Sequence, residues 1–113
     1  MMVYLDEKQI YLDAQLSLSS FSRVVGTNTT YLSTIINQRL GCNFKTLLIR
    51  YRIRYACQLI QEGVELPQVG EQSGFGSKSS FYEVFRREVG MTPGEYSKQV
   101  HTQKERKEVG TKK

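Results

Sequence analysis

The chain has no tryptophan, one histidine, two prolines and two cysteines. Each scarcity removes a class of protein. Cys42 and Cys57 stand 15 residues apart without a CxxC pair, and the one histidine, His101, lies near the C-terminus. That inventory supports neither a zinc site nor a disulfide framework, and the thiols read as those of a reducing compartment. One histidine, no clustered acids, no phosphate-binding glycine loop and no nucleophile elbow leave no catalytic constellation. Catalytic residues, metal ligands and cofactors are therefore not assigned. No apolar run approaches the roughly 18 residues of a membrane span. The opening segment, Met1 to Glu7, is acidic and lacks the apolar stretch of a secretory leader, so a cytoplasmic protein is expected. Sustained period-two alternation and Asn-Gly or Asp-Gly hairpin turns are missing too, which argues against strands.

The most informative absence is of acid. Residues 21–60 contain Arg23, Arg39, Lys45, Arg50, Arg52 and Arg54, and not one Asp or Glu. The whole chain carries +5 at pH 7, so this stretch holds more than the entire positive excess. Forty residues of one sign inside a folding sequence point to a polyanionic partner.

What is present is helical. At 113 residues, one domain with a modest core is expected. Glycines at 26, 41, 63, 74, 90 and 94 punctuate short amphipathic segments. A first helix is expected around Tyr4–Leu12, packing Leu5, Ile10 and Tyr11 inward. A second starts from a Ser17 N-cap, with Leu16 and Phe21 as a hydrophobic staple, and stops at Gly26. A third starts at Asn28, places Tyr31, Leu32, Ile35 and Ile36 on its apolar face, and closes at Gly41. The fourth and longest runs from an Asn43 cap to Gly63. Its apolar positions cover much of the circumference, as in a helix with neighbours on both sides. A fifth spans Pro67–Ser73. A sixth begins at Ser77 and packs Phe81, Val84 and Phe85. The last opens on the capping box Thr92-Pro93-Gly94-Glu95 and ends near Val100, before a frayed, charged tail. The expected fold class is all-α, with seven short helices forming two helix-turn-helix subdomains joined by a long central helix. The expected divisions are a lead-in (1–14), a first unit (15–42), a linker helix (43–63), a second unit with closing helix (64–101) and a flexible tail (102–113).

Steric requirements define each unit. The first helix needs a small residue where the second crosses it, and the turn needs a glycine four residues later. Ser22 and Gly26 meet this in the first unit, Gly70 and Gly74 in the second. Phe21, Val25, Leu32 and Ile35 form one expected buried set; Val69, Phe75, Phe81 and Phe85 form the other. One such pattern arises by chance. Two in order around a long helix, in a basic helical chain, point to double-stranded DNA. A helical protein–protein interaction module is the alternative, but it would expose an apolar groove, and the outward faces here are Thr, Ser, Lys and Arg. A single-stranded RNA reader would need an aromatic stacking surface, and these tyrosines mostly fit the apolar stripes.

The run from Gly74 to Tyr96 consists of Gly74-Phe75, a serine-rich cap, the aromatics Phe81 and Tyr82, the basic pair Arg86-Arg87, and Gly90-Met91-Thr92-Pro93 before Tyr96. It resembles the signature of the AraC/XylS family of transcription regulators. The first half agrees through Tyr31-Leu32-Ser33, Gly41 with Phe44, Tyr51-Arg52-Ile53, Ala56 and Leu59-Ile60. The likeness covers roughly residues 15–97. Gly70, Ser73 and Ile36-Asn37 depart from the usual Ala, Val and Phe-Lys.

The resemblance implies two tandem units in successive major-groove segments, roughly 34 Å apart, regulating transcription. It implies base-facing roles for Thr30, Ser33, Thr34, Lys78, Ser79, Ser80 and Glu83. Phosphate roles fall to Arg23, Asn28, Asn37, Ser77, Tyr82, Arg86 and Arg87, aided by helix N-termini. The short side chains suit thymine methyls or water bridges, Lys78 a guanine, and Glu83 a cytosine amino group. Arg52 is implied to support the linker helix and nearby carbonyls. The implied partners are double-stranded DNA, RNA polymerase and, if the chain is a fragment, a sensor or effector domain. No small-molecule pocket is expected in this domain. Gly70 should cost up to about 1 kcal/mol against Ala, which makes the fifth helix the expected weak point and the first unit the expected anchor.

Overall fold

The computed structural model describes the backbone of residues 2–111 and the side chains of residues 3–102. Among these residues there is no strand. The order is α1 (Met2–Asp6), a 3₁₀ turn (Ile10–Leu12), α2 (Leu18–Val25), α3 (Thr29–Leu40), α4 (Phe44–Gln61), α5 (Leu66–Gln72), α6 (Lys78–Val89) and α7 (Pro93–Thr111).

Local chemistry sets most of the boundaries. Ser17, Asn28, Asn43 and Ser77 sit in extended backbone, and each side-chain oxygen accepts from the N–H three residues on. Such a cap stabilises a helix start by about 1 kcal/mol. Thr92 and Glu95 cap each other reciprocally at 3.1 Å. Helices α2, α3 and α6 end on Gly26, Gly41 and Gly90 in left-handed backbone.

Two extents differ from the sequence expectation. The first helix is broken, because Gln9 adopts φ 51°, ψ 39°. Leu5 and Tyr11, six residues apart, would lie on different faces of an unbroken helix. The break lets both bury, while Ile10 stays half-buried. At the other end, α7 continues past Val100 to Thr111 instead of giving way to a frayed tail from residue 102. The run Gln103-Lys104-Glu105-Arg106-Lys107-Glu108 consists of strong helix formers and contains no breaker. Lys112 and Lys113 lie outside the described residues.

The buried side chains form two clusters. Leu5, Tyr11, Phe21, Leu32, Ile36, Leu47, Leu48 and Tyr51 belong to the first. Ile53, Ala56, Leu59, Ile60, Val69, Phe75, Phe81 and Phe85 belong to the second. Helix α4 supplies both, and the change falls between Tyr51 and Ile53, about 200° apart around the axis. One continuous helix is therefore the wall of both cores. Each fully buried Phe contributes on the order of 2–3 kcal/mol. Helix α7 closes the second core with Tyr96 and Val100. There Gln61 donates to the Tyr96 hydroxyl at 2.8 Å, and His101 Nε2 lies 3.1 Å from the Ile60 carbonyl.

The lead-in is tied to α4. Tyr51 donates its hydroxyl proton to Asp6 Oδ1 at 2.7 Å. Arg52 donates from Nε to the Tyr11 carbonyl at 2.8 Å and from Nη2 to the Asp13 carbonyl at 2.9 Å. Tyr11 packs against the rings of Tyr51 and Tyr55. Among the described residues, no helix is long and apolar enough to cross a membrane.

Candidate nucleic-acid interface

Helices α3 and α6 have 12 residues each and share one register. Asn28 and Ser77 cap their starts, Gly41 and Gly90 their ends, and the buried pairs Leu32–Ile36 and Phe81–Phe85 hold matching positions. Thr30 thus corresponds to Ser79, Tyr31 to Ser80, Thr34 to Glu83, Asn37 to Arg86 and Gln38 to Arg87. At about 100° per residue, the buried pair turns Thr30, Thr34, Asn37 and Gln38 outward on α3. Ser79, Glu83, Arg86 and Arg87 take that face on α6. All eight are exposed.

Different contacts brace the two faces. In the first unit Ser22 is buried on α2, the helix that packs on α3, and its hydroxyl donates to the Ser19 carbonyl at 2.7 Å. In the second, a chain of tilted and edge-on rings links Phe75, Phe81, Phe85 and Tyr96 behind α6. Aromatic rings locked this way leave the helix little freedom to rotate.

On α3, Thr34 donates its hydroxyl to the Thr30 carbonyl at 2.9 Å, and Asn37 donates its amide to the Ser33 carbonyl at 2.9 Å. These donors turn back onto their own helix, leaving the Thr34 methyl, the side-chain oxygens of both residues and the second Asn37 N–H for a partner. Ser33 is half-buried at the edge of the face, away from its centre. Asn28 uses Oδ1 as a cap and keeps its amide N–H groups. Arg23 is exposed in the last turn of α2.

On α6, Ser79, Ser80, Glu83 and Arg86 are exposed. Lys78 is exposed at the first position, its ammonium 5.7 Å from the centre of the Tyr82 ring. Tyr82 is half-buried and edge-on to Phe81, so it belongs more to the wall than to a free arm. Ser77 accepts from the Ser80 N–H. Arg87 lies 3.5 Å from Glu88 in an exposed pair of little energetic weight. Tyr82, Glu83, Arg86, Arg87 and Thr92 line an open concavity of about 550 Å³. Beside it, the backbone N–H and then the side chain of Thr92 hold the Glu95 carboxyl below its ordinary range, and the charge of Arg86 adds to this.

Two side chains depart from the sequence expectation. Tyr31, expected on the apolar face of the third helix, is 57% exposed. Leu32 and Ile36 define the buried direction, and Tyr31 stands about 100° round from Leu32 on the outer flank. Gln38 was not singled out as a site residue, yet it shares the outward face. Aligning the two caps pairs it with Arg87, and that signal was available in the sequence. An unexpected cleft of about 370 Å³ also opens between α5 and the start of α6, lined by Leu66, Gly70, Glu71, Phe75 and Lys78 among others.

The basic stretch is not neutralised from within. Among the described residues, the ion pair is Arg87 with Glu88, outside that stretch. Arg50 and Arg54 are exposed on α4, with Arg54 over the Tyr51 ring at 5.2 Å. Arg52 is half-buried on backbone carbonyls. Burial pushes its guanidinium below the ordinary value, and Asp13 pushes back.

Residues 21–99 match a family described as a helix-turn-helix domain. The probable transcriptional regulator LumQ of Photobacterium leiognathi is 32% identical over 87 residues, covering 76% of this chain and 35% of that protein. The C-terminal domain of AraT, a response regulator from Geobacillus stearothermophilus, is similar with a TM-score of 0.76 at 25% identity, over 81% of this chain and 77% of that one. A transcriptional regulator from Chromobacterium violaceum, of the proteins containing an AraC-type DNA-binding domain, gives 0.70 at 28% identity, over 75% and 77%. The chain spans about a third or less of the length of the curated relatives it matches.

Proposed function

The chain belongs to the AraC-type family of helix-turn-helix transcription regulators, and we propose that α3 and α6 enter successive major-groove segments on one face of a DNA duplex. Binding DNA and regulating transcription are the work of this family. The observation that carries the groove geometry is the common register of α3 and α6, which gives two matched polar faces mounted on one rigid helix. At about 1.5 Å per residue the 18 residues of α4 span about 27 Å, of the order of the roughly 34 Å between successive groove segments.

In this reading Thr30 and Thr34 meet bases through methyls and water, with Ser33 at the margin. Ser79, Ser80 and Glu83 do so in the second unit, Glu83 accepting from a cytosine amino group. Lys78 reaches a base edge once it leaves the Tyr82 ring. Arg23, Asn28, Asn37, Ser77, Tyr82, Arg86 and Arg87 hold phosphates and set the register. RNA polymerase and a sensor domain elsewhere in the full protein are the further partners, and the bacterial cytoplasm is the compartment. Among the described residues, the exposed large apolar side chains Val3, Val24 and Tyr31 lie on three different helices, which gives the rival protein-interaction module little to work with.

Fluorescence anisotropy with labelled duplexes over a salt series tests the proposal. Affinity should fall steeply with salt, with a logarithmic slope of about −0.9 per phosphate neutralised, and should differ between sequences. A flat salt response, or equal affinity for every duplex, overturns it.

A further inference from the structure

We propose that Gln38 reads a base in the first unit, its carboxamide pairing with the major-groove edge of an adenine. The inference rests on α3 being the groove-inserted helix and goes beyond it by naming a specificity residue. Gln38 is exposed, one turn beyond Thr34 on the same face, and holds the position that Arg87 holds on α6. Its neighbours on that face are short, and two are tied back to their own helix: Thr34 commits its one donor to the Thr30 carbonyl, and Asn37 commits one of its two amide N–H groups to the Ser33 carbonyl, which holds its shorter carboxamide against α3. Gln38 has no side-chain hydrogen bond among the described residues, and its two methylenes carry the amide beyond the threonines.

Only a carboxamide sets a donor and an acceptor side by side, and adenine presents the complement with N6–H₂ and N7. Tyr31, seven residues earlier on the same stripe, offers a single hydroxyl on a bulky ring and cannot make that pair. Arg39 falls about 100° further round, off the face. Because Gln38 is neutral, its contribution appears as sequence preference and leaves the salt dependence alone.

The test is enrichment of randomised duplexes by wild type, Gln38→Ala and Gln38→Glu, followed by anisotropy on the best wild-type duplex at two salt concentrations. Wild type should enrich adenine at a position where Gln38→Ala shows no preference. Affinity of the Ala variant for that duplex should fall about tenfold with an unchanged salt slope. Gln38→Glu, which can only accept, should move the preference toward cytosine. Identical consensus sequences for wild type and Gln38→Ala overturn the assignment and leave groove insertion standing. A uniform loss across all sequences with a shallower salt slope also overturns it, since that is the signature of a phosphate contact. If wild type enriches no sequence, groove insertion itself fails and this assignment with it.

Discussion

Phe81, the first buried residue of α6, packs directly against Gly70 of α5. A Cβ on Gly70 would stand 2.9 Å from Phe81 Cδ2, 3.0 Å from Cγ and 3.2 Å from Cβ. These are root atoms of a side chain that is 1% exposed, so it has no room to swing aside. From sequence, Gly70 counts both as the small residue that the crossing of the two helices requires and as a departure from the usual Ala that weakens a helix. In the fold it permits an approach between α5 and α6 that alanine would obstruct.

The consequence for Gly70→Ala is a contest of two magnitudes. Helix propensity gains up to about 1 kcal/mol. Overpacking against Phe81 costs about 1–3 kcal/mol. Net destabilisation is expected in a urea melt, with the DNA-binding loss following the second unit. A variant more stable than wild type would show that the contact has slack.

A second prediction concerns Arg52 and Gly74. Gly74 has φ +89°, and a Cβ there would meet the Tyr11 carbonyl oxygen at 2.7 Å, Arg52 Nε at 3.0 Å and Leu12 Cα at 3.0 Å. The turn of the second unit, the linker helix and the lead-in converge at this point, and two of the obstructing atoms are backbone. Gly74→Ala should therefore lose about 3 kcal/mol, combining backbone strain with the clash. Arg52→Met leaves the Tyr11 carbonyl without its donor, while the Asp13 carbonyl keeps the Leu16 N–H, and should lose about 2 kcal/mol. Arg52→Lys, which lacks the planar fork, should recover less than half of that. Chemical denaturation of the three variants orders them.

The third prediction is alkaline. Burial, and then the hydrogen bond to Asp6, pushes the Tyr51 phenol from 10.0 up to about 12. The folded state holds this proton more tightly than the unfolded chain does. Its contribution is therefore complete below about pH 10 and is lost as pH rises through about 12. Denaturation midpoints should fall across that window. Tyr51→Phe should make the fall shallower, with a remainder from Tyr11 and Tyr96, whose phenols burial also raises. At neutral pH the variant should cost only about 1 kcal/mol, because exposed Asp6 is rehydrated. An unchanged alkaline limb would exclude Tyr51 as its source.

The fourth separates reading from holding. Thr34→Ala removes a methyl and a hydroxyl from the outward face of α3 and should shift sequence preference with little change in salt slope. Arg86→Ala should weaken binding to all duplexes alike and reduce the slope by about 1. Both residues are exposed, so thermal stability should stay within about 0.5 kcal/mol of wild type. If neither variant changes duplex affinity, the reading faces are misplaced.

Helix starts and stops were the most legible part of the fold. Ser17, Asn28, Asn43, Ser77 and Thr92 cap through bonds spanning three residues, and such bonds form wherever those residues meet a helix start. The outward faces were legible in part. The stripe of Tyr31, Leu32, Ile35 and Ile36 was wide enough to fit more than one orientation. Burial of Leu32 and Ile36 turned Tyr31 outward, and with them as reference Gln38 falls on the open face.

The amino-acid order by itself determined the succession of helices, the two small-residue and glycine turns, and the unbalanced positive charge of residues 21–60, because capping, backbone freedom and charge are carried by residues close in sequence. Tertiary structure alone decided the break at Gln9, the passage of α4 from one core to the other after Tyr51, the junction of Arg52 with Gly74 and how closely Phe81 approaches Gly70. Those depend on which distant side chains compete for the same space, and no local preference encodes that competition.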